Sequence, residues 1–108
     1  MKTYRLQDLA AVIRSKNSGP YELTFDILMK DDETFEKVAS ADILNKKLIS
    51  ELYNLPEDNI QSIIKFPKAR AFKITVKRPV SSGALGDRDI YGAQQHAPLM
   101  GLEFQLGD

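Results

Sequence analysis

The sequence contains no cysteine, and this absence excludes several kinds of chemistry. Disulfides, zinc–thiolate sites, iron–sulfur clusters and thiol nucleophiles all require cysteine side chains. No apolar run approaches the roughly 20 residues of a membrane-spanning helix, and the start of the chain lacks the apolar segment of a secretory signal. The sequence therefore predicts a cytoplasmic protein, with a reducing compartment as the simplest interpretation.

The chain also lacks an excess of either charge, because 15 acidic side chains balance 15 basic ones. Proteins that bind nucleic acids or membrane surfaces through general electrostatics carry net positive charge, so we expect neither partner. No acid occurs between Asp58 and Asp87, however, and the bases there form a basic stripe. The stripe indicates a solvated strand face, protection of a sheet edge, or a surface for an anionic partner. Its members are Lys65, Lys68, Arg70, Lys73, Lys77 and Arg78.

The length of 108 residues and the hydrophobic content of 43% are those of one soluble globular domain, residues 1–108. Alternating apolar residues predict strands over YELTFDIL, NIQSIIKF, RAFKITVKR and MGLEFQL. The first of these strands should bury Leu23, Phe25 and Ile27 and expose the residues between them. The short link PKA predicts that the second and third strands form an antiparallel hairpin.

Two helices are expected between the first and second of these strands. Asp31 or Asp32 can cap the first helix, and Asn45 can cap the second. Residues 6–16 suit either a helix or a strand, and SKNSGP, residues 15–20, predicts a turn. This order predicts an α+β fold with two layers. It has a mostly antiparallel sheet of about four strands, two to three helices on one face, and a long ordered loop before the last strand.

The loop over residues 80–98 is the least ordinary feature of the sequence. Loops longer than about 12–15 residues are uncommon in compact domains and are usually functional or disordered. Its second half, with the residues after it, reads GDRDIYGAQQHAPLM and is dense in hydrogen-bonding side chains. We expect this stretch, residues 86–100, to be held against its own sheet or against a partner.

His96 is the only histidine and the first candidate for catalysis. An imidazole with a pKa near 6.5 can act as general acid or base at neutral pH. Asp89 or Asp87 could orient it, and Tyr91 could donate a hydrogen bond to a developing oxyanion. The alternative is a histidine that binds backbone and fixes the loop. A single histidine without HExxH or EF-hand spacing predicts no metal site, and no cofactor is predicted.

Other polar residues suit ligand binding or an interface. Arg88 and Asp87 carry charge, and the amides of Gln94 and Gln95 can both donate and accept, although they can equally satisfy the loop's own backbone. Lys16 and Asn17 lie in the predicted turn, which lacks the GxxxxGK[ST] pattern of a nucleotide-triphosphate loop. That turn could hold a carboxylate or phosphate, or it could be a solvated turn whose Asn17 binds its own backbone. These residues complete the candidate site.

Two segments, IRSKNSGPYELTFDI and RPVSSGALGDRDIYGAQQHAPL, resemble a small bacterial family of uncharacterised domains. The resemblance covers nearly the whole chain, and DRDIYGAQQHAPL is its most specific part. Members occur as separate short proteins or fused to larger proteins of the acyclic-terpene-utilisation (AtuA-type) group. The resemblance implies a small subunit or accessory domain in the breakdown of carboxylic acids or their acyl-CoA forms.

Three hypotheses for function follow. The first is an accessory subunit of a larger AtuA-type protein, whose active site or interface the 86–100 stretch would complete. The second is a stand-alone hydratase, lyase or isomerase that uses His96 and an Asp; a homo-oligomer could then build its pocket between subunits. The third is a regulator that binds a small ligand such as a carboxylate or acyl-CoA.

Overall fold

A computed structural model describes residues 2–19, 21–77 and 97–106. The strands are β1 (Lys2–Arg5), β2 (Ala10–Gly19), β3 (Glu22–Met29), β4 (Ile60–Phe66), β5 (Ala71–Lys77) and β6 (Glu103–Leu106). The helices are α1 (Leu6–Leu9), α2 (Asp32–Ser40), α3 (Lys46–Tyr53) and α4 (Ala97–Met100). The predicted α+β class with antiparallel pairing is confirmed. None of the helices in these described ranges has the length and apolar character needed to cross a bilayer.

The main sheet has four antiparallel strands in the order β2-β3-β5-β4. The predicted hairpin of β4 and β5 is confirmed. The alternation predicted for β3 is confirmed for Leu23, Phe25 and Ile27, which are all buried. Thr24, expected in solvent, is instead 2% exposed. The strand register places its short side chain between Lys16 and Thr75 in the interior of the sheet.

Both predicted helix caps are confirmed. The Asp31 carboxylate accepts a hydrogen bond from the Thr34 N–H at 2.7 Å, at the start of α2. The Asn45 side chain accepts one from the Leu48 N–H at 2.8 Å, at the start of α3. Each cap satisfies a backbone donor that the first helical turn leaves free. Helix α3 ends at Asn54, whose left-handed backbone has a φ of 53°, a conformation that asparagine tolerates.

Aromatic contacts join both helices to the sheet. Phe35 of α2 stacks on Phe72 of β5 with ring centroids 4.8 Å apart, and Tyr53 of α3 contacts Phe25 of β3 at 5.0 Å. In the register, Phe72 lies opposite Ile27, so Phe72 and Phe25 point to the same side of the sheet. That side, the inner face, therefore carries the core.

The last strand does not join the main sheet, contrary to the predicted set of about four strands. Strand β6 pairs with β1 in a separate two-stranded antiparallel sheet. Its apolar alternation is as predicted, since Phe104 and Leu106 are buried. Strand β1 was not predicted, because KTYR is too short and polar to show a strand pattern. The fourth strand of the main sheet is β2 instead.

The predicted turn over residues 15–20 is wrong for residues 15–18, although the chain does leave the strand after Gly19, as its glycine and proline indicate. Strand β2 continues to Gly19, with Lys16 opposite Thr24 and Asn17 opposite Leu23. Ser15 lies opposite Phe25 and is only 8% exposed. Pairing with β3 satisfies the backbone of this polar segment, and irregular register near Gly19 accommodates its end. Tertiary pairing thus overrides the turn preference of the local sequence.

The predicted ordered loop lies mostly outside the described residues. Its last two positions, Ala97 and Pro98, belong to α4 rather than to a loop. The Leu6 N–H donates to the Leu102 carbonyl at 2.9 Å, and the Leu102 N–H donates to the Leu99 carbonyl at 3.1 Å. These bonds join α1 to the connection between α4 and β6. The chain after residue 96 is therefore fixed to the start of the domain.

Replacing Ile74 with alanine should destabilise the domain strongly, because this side chain is 0% exposed at the centre of the inner face. We expect the free energy of unfolding to fall by about 2–5 kcal/mol. Ile64→Ala is the matched control, because Ile64 is 45% exposed, and it should cost less than about 1 kcal/mol. Urea unfolding in dilute solution measures both values. Equal losses would contradict the assignment of the inner face.

Stability should depend on pH through Asp31. The Thr34 backbone N–H, and secondarily the Thr34 side chain, hold the pKa of Asp31 below its ordinary value of 3.8. The ionised cap therefore contributes stability above the unfolded-state pKa, and this contribution is lost as pH falls through the lower folded-state pKa. Asp31→Asn keeps a capping side chain without the charge.

Melting curves of the wild type and Asp31→Asn between neutral pH and pH 3 measure this effect. The stability difference in favour of the wild type should shrink over the acidic end of that range. A difference that stayed constant, or grew, would contradict the role of the charge.

Candidate functional site

Most of the predicted site residues lie outside the described ranges. These are Asp87, Arg88, Asp89, Tyr91, Gln94, Gln95 and His96. Their predicted roles in catalysis or binding stay predictions. The structure does describe the elements that come before and after them, β5 and α4.

The chain enters the 78–96 segment from a well-fixed strand. Val76, near the end of β5, is 2% exposed, and Lys77 pairs with Glu22 of β3. The Asn59 side-chain amide also donates to the Lys77 carbonyl at 3.2 Å. Strand β5 is an interior strand with partners on both sides. The start of the segment is therefore anchored in the main sheet.

The chain leaves the segment through α4, which is equally fixed. Leu99 is 0% exposed and belongs to the core, whereas Pro98 and Met100 on either side of it are exposed. Helix α4 contacts α1 and α3. Buried Leu99 holds the chain to the core after the 78–96 segment, and paired strand β5 holds it before the segment. Both flanks of the stretch thus belong to one packed domain.

Lys16 and Asn17 are the two predicted site residues that the structure describes. Both lie in β2, an edge strand of the main sheet, rather than in a turn. The Lys16 side chain is exposed, and that of Asn17 is partly buried. Consecutive residues of a strand point to opposite faces, so these two side chains do not converge on one ligand. The amides expected beside Lys16 in a turn are therefore those of a strand, and a role for Lys16 or Asn17 in binding or at an interface stays a prediction.

The basic stripe is divided between different surroundings. Lys73 and Lys77 are exposed and lie opposite Asp26 and Glu22 of β3. Cross-strand neighbours of opposite charge stabilise a sheet modestly and reduce its net field. This supports the solvated-face interpretation for these two residues.

The rest of the described stripe lies around the turn between β4 and β5. The Lys65 ammonium donates to the Ala39 carbonyl near the end of α2, at 3.4 Å, where a helix dipole favours a cation. The Arg70 guanidinium lies 4.0 Å from the Asp32 carboxylate. Arg70 has a left-handed backbone, with a φ of 54°. Lys65 and Arg70 therefore both have partners within the domain.

A shallow groove at this turn was not anticipated from the sequence. It has a volume of about 470 Å³, and the exposed ring of Phe66 contributes to its wall. Its described lining consists of Lys65, Phe66, Pro67, Lys68 and Ala69. The signal in the sequence is an aromatic residue between two lysines, KFPK, at the position predicted only as a hairpin link. Size and apolar lining resemble those of small-molecule sites, but the groove is open on one side.

Acidic and histidine side chains do not gather into a metal site within the described ranges: there is no group of three such residues that could hold an ion. The Tyr53 ring packs against Phe25 between α3 and the sheet, and burial raises the pKa of its hydroxyl above the usual range. A tyrosine held in its neutral form there serves packing. The groups that the sequence analysis singles out for chemistry lie mostly in the segment that this scaffold flanks.

Comparisons with known proteins assign a family but no activity. A family model described as a domain of unknown function (DUF4387) matches residues 6–103. No curated protein and no solved structure gives a match. The match spans both flanks of the polar segment and nearly the whole described fold. The chain belongs to this DUF4387 family of uncharacterised domains.

Proposed function

We propose that the protein is a small subunit or accessory domain of an AtuA-type enzyme that acts on carboxylic acids or their acyl-CoA forms. Residues 86–100 would contribute to the active site or to the subunit interface. The observation that carries the proposal is the double anchoring of the polar segment, by β5 on one side and by buried Leu99 on the other. A long segment with fixed ends is suited to presenting side chains to another molecule.

The composition of the segment supports an accessory role. It combines one imidazole, one guanidinium, two carboxylates and two amides within residues 87–96. Such groups recognise carboxylates, carbonyls and phosphates. A domain of 108 residues offers little concave surface for excluding water from a reaction. A larger partner would supply that enclosure. The AtuA-type identity of the partner rests on the family resemblance.

Co-expression with an AtuA-type protein from the same genome tests the proposal. The two chains should elute together on a sizing column at micromolar concentration, and the complex should turn over its acid or acyl-CoA substrate faster than the large chain alone. Replacement of residues 86–96 by glycine and serine should abolish the gain. The proposal fails if the chains elute separately and the large protein is fully active by itself.

Two point variants separate the proposed roles of the segment. If His96 transfers a proton, His96→Ala should lower turnover of the complex about 100-fold or more without changing co-elution. If Arg88 belongs to the interface, Arg88→Ala should weaken co-elution instead. Lys37→Ala, an exposed charge change on α2, is the control and should alter neither. Unchanged turnover with His96→Ala would exclude the proposed acid–base role.

A further inference from the structure

The side of the main sheet opposite the helices carries an apolar row that crosses all four strands. The register aligns Val12 with Leu28, Leu28 with Ala71, and Ala71 with Phe66. Val12 is 40% exposed and Phe66 44% exposed. We call this side the outer face. Leu28 and Ala71 between them are partly buried, so the row is most exposed at its two ends. Apolar side chains grouped in one row mark an interaction surface more strongly than scattered ones do.

The next row of the outer face carries alternating charges. Arg14 lies opposite Asp26, Asp26 opposite Lys73, and Lys73 opposite Ile64. The Arg14 guanidinium is 3.4 Å from the Asp26 carboxylate, and Ile64 is 45% exposed. The third row is uncharged apart from its edge and runs through Lys16, Thr24, Thr75 and Ser62. It is the least accessible of the three rows, since Thr24 is 2% exposed. Apolar, charged and polar rows thus follow one another along the strands.

We propose that the outer face binds the outer face of a second copy of this chain. A two-fold axis parallel to the strands, between β3 and β5, keeps each row over the same row of the other copy. It exchanges β3 with β5 and β2 with β4. Asp26 then lies over Lys73 of the second copy, and Val12 lies over Phe66 of the second copy. Each acidic side chain on β3 therefore faces a basic side chain on β5 of the second copy, and the reverse.

Other two-fold arrangements are less favourable. An axis in the same plane but perpendicular to the strands, through the charged row, would place the apolar row on the polar row, and one through the apolar row would pair that row alone. An axis shifted onto β3 would place Asp26 over Asp26 of the second copy, and like charges that face each other in an interface are costly. Packing with nearly aligned strands is also the common geometry of two stacked sheets, at about 30°. Among these arrangements, the axis between β3 and β5 keeps all three rows in contact and places opposite charges over each other.

The size of the face indicates a weak dimer. Four strands about 4.8 Å apart and three rows about 7 Å apart give a flat area of about 400 Å² for each copy. Specific complexes usually bury about 800 Å² from each partner. We therefore expect a dissociation constant in the micromolar range. This inference is independent of the proposed function, because it uses none of residues 86–96.

A pair of charge variants tests the two-fold arrangement. Asp26→Lys alone and Lys73→Asp alone should each weaken self-association at least about tenfold, because like charges then face each other across the axis. An equimolar mixture of the two variants should associate again, since each introduced charge meets an opposite charge of the other protein. Sedimentation equilibrium on the full chain from about 1 to about 500 µM measures all four samples, the wild type included.

A matched control lies on α2, away from the outer face. Glu33 and Lys37 form an exposed pair at 3.4 Å, so Glu33→Lys and Lys37→Glu make the same charge changes elsewhere. Both should associate like the wild type. Circular dichroism melting checks that every variant is folded. If a charge variant on the sheet does not fold, Phe66→Ser and Val12→Ser replace it and should weaken association in the same way.

Several results would overturn the proposal. One is a wild type that stays monomeric up to about 500 µM, which would mean that another segment or another protein covers the face. Another is undiminished self-association of both folded outer-face charge variants. A third is a mixture that associates no better than its separate components. Co-elution with an AtuA-type protein has no bearing on these outcomes, so the two proposals can fail separately.

Discussion

The described fold depends on burial of one side of two neighbouring strands. Phe25 and Ile27 of β3 and Phe72 and Ile74 of β5 are at most 1% exposed. Each such side chain contributes about 1.5–3 kcal/mol by leaving water, which is a large share of the stability of a small domain. Helices α2 and α3 both pack on this surface through aromatic rings. Without it, neither helix would have a face to cover.

The residues that form the core and the polar residues predicted for function occupy different parts of the chain. The inner-face core draws on residues from β3 to β5, and Leu6, Leu99, Phe104 and Leu106 extend it toward the second sheet. The groups predicted for catalysis or binding lie in residues 87–96, which follow β5, an interior strand of the main sheet. Binding and catalytic residues are often found on connections that a rigid scaffold positions. The DUF4387 match over residues 6–103 includes both parts.

The local sequence was sufficient to predict the elements whose residue preferences match the structure that they adopt. Asp31 and Asn45 were predictable caps because short polar side chains before an apolar helix face satisfy free N–H groups. Apolar Phe72, Ile74 and Val76 alternate with polar residues in the sequence, and this pattern was sufficient to predict the strand.

The failures lie where pairing over long distances decides the structure. Residues 15–18 have the composition of a turn, but β3 provides the hydrogen-bond partners that make them a strand. Strand β1 exists because β6 lies beside it, and nothing within KTYR indicates that neighbour. The candidate site was predicted from residue chemistry alone. Only Lys16 and Asn17 could be placed, and their strand positions separate them.

The small sheet of β1 and β6 brings the two extremities of the fold together. Lys2 lies directly opposite Leu106, so the Cα atoms there are about 5 Å apart. A polypeptide that enters this domain at one of these residues leaves it at nearly the same point. A domain with ends this close can be inserted into a surface loop of a larger protein without distorting that protein, and it can also exist as a separate chain.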